Sequence, residues 1–210
     1  MAMAGHGAQA ASFVEEAGTA PLPLRWVEEL INTHSLVYRV DLLRTPDDLL
    51  DWLRARDLVP AGANCAPTEF DQVIRAREGL RALVAANNAA AAPAPVRLAD
   101  DTPDGVVTQM RDELADIARA APLVLDVAST PPRLVPLAPA TVGGAVAALL
   151  GMVAESVASG TWSRLKVCRK PGCRWAYYDH SRNRARTWCS METCGNQAKA
   201  HAFRQRRTVG

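Results

Sequence analysis

Four of the five cysteines lie within 27 residues near the C-terminal end, in two pairs with the same internal spacing. Cys168 and Cys173 form one Cys-x4-Cys pair, Cys189 and Cys194 form the other, and 15 residues separate the pairs. Four thiolates at this spacing suit a closed tetrahedral Zn²⁺ site, which leaves no open position for a catalytic water. We therefore predict one structural zinc ion per chain, held by these four residues.

The segment that carries the cysteines is too short to fold by apolar burial alone. Residues 164–210 number only 47, and so small a unit buries too little surface to offset its chain entropy. Zinc binding to such a segment contributes about 10–16 kcal/mol as folding energy. The preceding residues have helical patterns of their own, so we expect loss of zinc to unfold the C-terminal segment while the rest keeps its melting transition.

Charge is distributed very unevenly along the chain. Residues 1–163 carry 12 arginines, no lysine and 20 acidic residues, whereas residues 164–210 carry 12 basic residues against Asp179 and Glu192. The net charge of +2 therefore hides an acidic body of −8 and a basic segment of +10. Such a positive field attracts polyanions, which makes nucleic acid or an anionic membrane the candidate partner of this segment.

Several side chains of the basic segment are candidates for contacts with duplex DNA. From Ser190 the spacing becomes helical, which predicts a short basic helix of a kind that can lie in a DNA groove. Basic side chains would bind phosphates, and the two amides at the start of this helix could pair with adenine edges or cap the zinc loop. The predicted contacts are Arg182, Arg184, Arg186, Asn196, Gln197, Lys199, Arg204, Arg206 and Arg207.

The same segment holds five of the eleven aromatic residues of the chain, namely Trp175, Tyr177, Tyr178, Trp188 and Phe203. They could stack on unpaired bases or form a small core around the metal. We favour the small core, because the segment has few other apolar side chains of comparable size.

The preceding part of the chain reads as an α+β fold. Apolar residues at helical spacing predict most of its elements, and Thr45-Pro46-Asp47-Asp48 is the clearest helix start, with a capping hydroxyl, a proline and acids. We predict helices over 22–31, from Pro46, after Pro67, from Val106 and over 141–159, and a hairpin of 123–127 with 134–137. The predicted fold is thus a mainly helical N-terminal domain with a small β-hairpin, followed by a small treble-clef-like zinc finger.

The N-terminal segment and the longest uncharged run indicate in which cellular compartment the protein is expected. Residues 1–20 are rich in alanine and glycine and show no export signal, so they are predicted to be a disordered tail. The run 134–154 is interrupted by prolines and glycines, which favours a buried helix over a membrane span. A cytoplasmic protein with no membrane partner is expected, since its cysteines suit a reducing compartment.

Asn32, Thr33 and His34 form a second, weaker group of candidate site residues. They follow an apolar helix, where side chains often contact a ligand, but local hydrogen bonds at a helix end explain them better. An enzyme would need a site built from Asn32, His34, Asp41 and Cys65. No nucleophile elbow, phosphate loop or HExxH pattern supports that reading, and we expect that the chain is not an enzyme.

The basic segment resembles a known family. Cys168-x4-Cys173-Arg-Trp, Asp179-x-Ser-Arg-Asn183 and Trp188-Cys-Ser-Met-x-x-Cys-Gly-Asn-Gln197 are similar to the CGNR zinc finger over about 164–207. This finger occurs at the C-terminus of bacterial proteins described as stress-induced transcription regulators. The family's name-giving tetrad ends in arginine, whereas this chain has Gln197, which can still hydrogen-bond to a base or to backbone.

The body is similar, more loosely, to the ABATE domain that precedes this finger in the same family. Short patches carry the resemblance: Ile31-Asn-Thr33, Asp41-Leu-Leu43, Pro46 to Leu53 and Arg77 to Leu83. It implies a regulatory domain at 21–160 that senses an unidentified small molecule or forms a homodimer. We predict a DNA-binding transcriptional regulator of the stress response; the alternative is a zinc-dependent module that binds RNA or an acidic protein.

Overall fold

The computed structural model describes residues 20–88, 104–170, 172–200 and 204. The predicted tail, apart from Ala20, lies outside the described residues, as do Phe203, Arg206 and Arg207. The body comprises α1 (Leu24–Asn32), β1 (His34–Ser35), β2 (Val40–Asp41), α2 (Pro46–Arg54), α3 (Pro67–Ala86), α4 (Asp104–Ala120), β3 (Leu123–Asp126), β4 (Arg133–Pro136) and α5 (Val142–Ala158).

The C-terminal finger follows α5 after a short turn. A 3-10 turn, Trp162–Arg164, leads into β5 (Leu165–Val167), and β6 (Ala176–Tyr178) pairs with it. A wide π-helical turn, Met191–Gly195, continues as α-helix over 196–200. Each of the three sheets in the described residues is a two-stranded antiparallel hairpin. The α+β class predicted from sequence is therefore confirmed.

The start of α2 forms as its sequence predicts. The Thr45 hydroxyl accepts from the Asp48 amide at 3.1 Å, and the Asp48 carboxylate accepts from the Thr45 amide at 3.1 Å. Pro46, which has no amide hydrogen to leave unpaired, occupies the first turn. This reciprocal capping places α2 so that Leu49 and Leu53 reach the core.

Helix α3 buries two arginines, which its sequence does not reveal. Arg77 donates to both carboxylate oxygens of Asp41, at 2.7 and 2.8 Å, and Arg81 donates to the carbonyls of Ile31 and His34. Glu78 accepts from both arginines. Burial opposes ionisation of Glu78, but the hydrogen bond from His34 and the arginine charges outweigh it and lower its pKa to about 2.

Body and finger share one hydrophobic core. Leu165 and Val167 of β5, and Ala176 and Tyr178 of β6, are buried in the same cluster as the apolar residues of α1, α2, α3 and α5. The finger hairpin therefore contributes four residues to a core that the helices of the body otherwise form. Unfolding either part would expose apolar side chains of the other part to water. We therefore expect body and finger to unfold in one transition.

Three asparagines of the body fix the finger hairpin through its backbone. The Asn32 amide donates to the Ala176 carbonyl at 2.9 Å and accepts from the Ala176 amide at 2.8 Å. At the end of α3, Asn87 donates to the carbonyls of Trp162 and Leu165, and Asn88 to that of Val167. The finger is therefore bound to the body by specific hydrogen bonds as well as by the shared core.

Candidate metal centre and nucleic-acid interface

The four cysteine side chains converge on one point. The Sγ atom of Cys173 lies 3.8 Å from that of Cys189, and Cys194 Sγ lies 3.7 Å from Cys189 and 3.8 Å from Cys173. All four sulfurs lie within 4.8 Å of one another, and all four residues are buried. A tetrahedron with Zn–S bonds of about 2.3 Å has edges of roughly 3.8 Å, so this donor set fits Zn²⁺.

The first cysteine pair sits on a turn between β5 and β6. Cys168 directly follows β5, and its amide donates to the Trp175 carbonyl at 2.8 Å. The Cys173 amide donates to the Lys170 carbonyl at 3.0 Å, which closes the loop. Gly172 has φ of +71°, a conformation natural to glycine, and this turn brings the second sulfur back toward the first.

The second pair sits at the start of the C-terminal helix. Ser190 has extended backbone, and its hydroxyl accepts from the Thr193 amide at 3.3 Å. The π-helical turn that follows contains Cys194, while Cys189 lies just before the cap. The wide turn, with one more residue than an α-turn, lets both sulfurs of a Cys-x4-Cys pair approach the same point.

Contact among the four thiols perturbs their acidity. Hydrogen bonding to neighbouring sulfurs, Cys168 first, raises the pKa of Cys173 and Cys189 and lowers that of Cys194, and the Cys173 thiol lowers the pKa of Cys168. Four thiols this close cannot all ionise unless a cation balances them. A divalent metal supplies that charge, and its binding releases the thiol protons.

A buried ion pair supports the finger behind the metal centre. Lys166 of β5 donates to the Asp179 carboxylate at 2.8 Å, and both side chains are at most 2 % exposed. Asp179 also accepts from the amides of Ser181 and Arg186 at 3.0 Å. Burial opposes ionisation of Asp179, but hydrogen bonds from Lys166 and Ser181 lower its pKa overall. Sequence reasoning missed this pair, since the two residues read as ordinary surface charges.

Arg186 makes several contacts inside the finger. Its guanidinium donates to the carbonyls of Trp188, at 2.8 Å, and Cys189, and lies 4.9 Å from the centre of the Tyr177 ring. The Tyr177 hydroxyl in turn donates to the Arg186 carbonyl at 2.7 Å. These contacts join Arg186 to the second cysteine pair, and its contact with phosphate remains a prediction.

The other predicted nucleic-acid contacts that fall on described residues are exposed. Arg182 and Arg184 lie on the loop between β6 and the second cysteine pair, and Asn196, Gln197, Lys199 and Arg204 belong to the C-terminal helical region. The Asn196 side chain donates to the Glu192 carbonyl at 3.1 Å and is exposed, so a cap on the zinc loop and a base contact both remain predictions for it. Arg206 and Arg207 remain predictions outside the described residues.

The described aromatics of the finger form a core, as predicted. Trp175 and Tyr177 pack with the cysteines, Trp188 packs partly against that cluster, and Tyr178 enters the body core. Trp175, Tyr177 and Tyr178 are at most 6 % exposed. Buried rings of this kind are not available to stack on unpaired bases.

The weaker candidate group around the end of α1 is occupied by internal contacts. Asn32 is bound to the finger, and the Thr33 hydroxyl donates to the Leu30 carbonyl at 2.7 Å, a local bond of the expected kind. His34 Nδ1 lies 3.4 Å from the Glu78 carboxylate. Ligand binding by Asn32, Thr33 and His34 remains a prediction. Of the residues considered for an enzyme, Asp41 is held by Arg77 and Cys65 donates to the adjacent Ala66 carbonyl.

A buried acid lies where α1 meets β6 of the finger. Glu28 is 3 % exposed and accepts from the Ala20 amide at 2.6 Å. Burial raises its pKa to about 7, although backbone N–H groups of Ala20 and Tyr178 offset part of the shift. Glu28 is therefore expected to titrate near neutral pH in the folded chain.

We expect Glu28→Gln to remove a pH-dependent loss of stability. The folded pKa of about 7 exceeds the ordinary value of 4.5, so the folded state binds the proton more tightly, and stability falls as pH rises between these values. At pH 8 the variant should exceed the parent by on the order of 1–3 kcal/mol, with little difference at pH 4.5. Urea unfolding at both pH values measures this; Asp71→Asn, at an exposed carboxylate, is the control. An equal difference at both pH values would contradict it.

Two family models match consecutive parts of the chain. Residues 24–160, more than half of the chain, match the ABATE model, described as "Putative stress-induced transcription regulator". Residues 164–207 match the model described as "CGNR zinc finger". With the four clustered cysteines, this match identifies the metal as zinc. No curated protein matches the chain. No helix among the described residues is long and apolar enough to cross a bilayer.

Proposed function

We propose, from the premise that this chain belongs to the ABATE family and ends in a CGNR zinc finger, that it regulates transcription by binding duplex DNA through that finger. Both models describe regulator and zinc-finger types of protein, and neither describes an enzyme. The zinc ion has a structural role in this proposal, since four thiolates complete its coordination shell.

The observation that carries the proposal is the separation of charge within the finger. Asp179, one of its two acids, is fully buried and neutralised by Lys166. Arg182, Arg184, Lys199 and Arg204 are all exposed. With one of its two acids buried, the finger exposes these four cations against a single exposed acid, Glu192, and so presents a positive surface that phosphate backbones bind.

The burial of the aromatics favours duplex DNA over single-stranded RNA. Proteins that bind unpaired nucleic acid stack bases on exposed rings, whereas Trp175 and Tyr177 are closed inside the finger. The alternative function, a zinc-dependent module for RNA or an acidic protein, would rely on the same cations. A titration that compares duplex DNA with single-stranded RNA of equal length distinguishes the two, because only the first proposal predicts tighter duplex binding.

We further propose that the chain acts as a homodimer in the cytoplasm and that its body responds to a small-molecule effector in stress. One finger offers few base contacts, and bacterial regulators commonly double them by two-fold symmetry. Light scattering of the full chain tests the dimer.

DNA binding by the full chain is expected to depend steeply on salt. If about five basic side chains reach phosphates, the slope of log affinity against log salt concentration should be near −4 to −5. Replacing both Arg182 and Arg184 by alanine should flatten the slope by about two units and weaken all sequences alike. Replacing Asn196 or Gln197 should change sequence preference more than slope. Fluorescence anisotropy at several salt concentrations measures each quantity.

A matched control removes the same charge from the body. Arg75 of α3 and Arg111 of α4 are also exposed, and their double alanine variant should keep the parent slope. Equal slopes for the parent and the Arg182/Arg184 variant would contradict the proposed contacts. If the affinity of the parent chain for DNA did not change with salt concentration, this would refute the proposed nucleic-acid binding and favour a protein partner.

A further inference from the structure

An open groove of about 970 Å³ lies on the body, between α1, α5 and the β3–β4 hairpin. Its floor is a stripe of α5 that includes Ala148, Gly151 and Ala158, whose small side chains leave the space free. Leu125 and Leu134, opposite each other in the hairpin, form one wall and are 59 % and 49 % exposed. Volume and apolar lining are typical of sites for small molecules.

Two side chains give the groove a preference for positive charge. Glu155 is exposed and lines the groove near the C-terminal end of α5, where the negative end of the helix dipole adds to its potential. Trp26 of α1 contributes an indole ring, the aromatic group that best attracts cations. The one basic residue of the lining, Arg133, is the cross-strand partner of Asp126, so a carboxylate close enough to interact with it accompanies its charge.

We propose that this groove binds an organic cation with a bulky apolar body, whose charge is recognised by Glu155 and Trp26. The apolar floor and the hairpin leucines would cover the body of the ligand, and the acidic surroundings agree with its charge, since residues 1–163 carry a net charge of −8. As a candidate site for the small-molecule effector, it rests on that part of the proposed function, but it does not depend on DNA binding.

The groove is also connected to the finger. Helix α1 contributes Trp26 to the groove and Asn32 to the Ala176 backbone of β6. Helix α5 forms the floor and leads through Gly160 and the 3-10 turn directly into β5. A cation bound between these two helices would therefore contact two of the elements that hold the finger.

Calorimetric titration of the zinc-loaded full chain with tetraphenylphosphonium tests the site. Tetraphenylborate has the same shape and the opposite charge, so the difference in affinity between the two ions measures the charge preference of the groove. We expect saturable binding of the cation at one per chain and about tenfold weaker binding of the anion. Glu155→Gln should weaken cation binding about threefold and reduce the difference between the two ions.

A second variant separates this groove from other surfaces. Ala154→Leu puts bulk into the groove from an exposed position of α5 and should abolish binding, whereas Val157→Leu, exposed on the same helix outside the groove, should leave it unchanged. Equal affinity for both ions, or parent-like binding by Ala154→Leu or Glu155→Gln, would overturn the proposal. A dimer that Ala154→Leu dissociates, without cation binding by the parent, would overturn it in favour of a second copy as the occupant.

Discussion

Replacing Cys189 by serine is expected to abolish stoichiometric zinc binding and to lower the melting temperature of the whole chain, not only of its finger. The Cys189 sulfur lies within 3.8 Å of two other sulfurs and is buried, so a hydroxyl there leaves the metal with three thiolates. Structural zinc contributes about 10–16 kcal/mol to small units of this kind. Because Leu165, Val167, Ala176 and Tyr178 close the core of the body, a finger without metal would expose that core.

Metal analysis and calorimetry together measure this effect. The parent should bind one zinc and unfold in a single transition, whereas the variant should bind substantially less zinc and unfold at lower temperature. Cys65→Ser is the matched control, since Cys65 lies outside the sulfur cluster. Full zinc occupancy in the Cys189 variant would refute the ligand assignment. If a zinc-free variant kept the melting temperature of the parent, this would instead refute the expectation that body and finger unfold together.

Gly144→Ala is expected to destabilise the chain by about 2–4 kcal/mol, because the space for a side chain is already taken. A Cβ atom at Gly144 would lie 1.9 Å from the Ala138 carbonyl oxygen and 2.8 Å from its carbon. The Ala138 carbonyl also accepts from the Thr141 hydroxyl at 3.0 Å, which fixes the turn before α5. The backbone must therefore move, and with it the buried first turns of the helix.

The adjacent glycine supplies the control for this prediction. A Cβ atom at Gly143 would find its nearest neighbour, the Thr141 hydroxyl oxygen, at 3.8 Å. Since alanine favours helix more than glycine does, Gly143→Ala should be neutral or stabilise by up to about 1 kcal/mol. Urea denaturation of both variants measures the difference. Similar midpoints for the two would show that the close approach at Gly144 does not control stability.

Features that depend on residues close in sequence could be predicted. The two Cys-x4-Cys pairs required only that two short loops turn back on themselves, and the capping box at Thr45 joins residues three apart. The predicted bounds of the helices over 22–31 and 141–159 agree with the observed bounds of α1 and α5 to within two residues. Each such pattern depends on residues within a single element or loop. The patterns therefore predicted the elements and the metal ligands, but not how the elements pack against one another.

Features that depend on distant partners could not be predicted. Asn32 and Ala176 are 144 residues apart in the chain, yet both hydrogen bonds between them are buried. Arg77 and Arg81 belong to a charged pattern that suggests a solvated helix face, but the carboxylates and carbonyls they meet make their burial stable. Nothing in the sequence distinguishes Arg186 from Arg182. Only the folded structure shows that Arg186 donates to backbone carbonyls of the finger, whereas Arg182 is exposed.

The sequence by itself determined the zinc donors, the positive charge of the C-terminal segment and the α+β class. Those properties follow from residue type, spacing and the sum of charges, none of which changes on folding. The tertiary structure decided that the finger completes the body core, which of its cations face solvent, and where a groove remains open beside Glu155. Burial and charge pairing are properties of the surroundings of a side chain, and those surroundings exist only once remote parts of the chain have packed together.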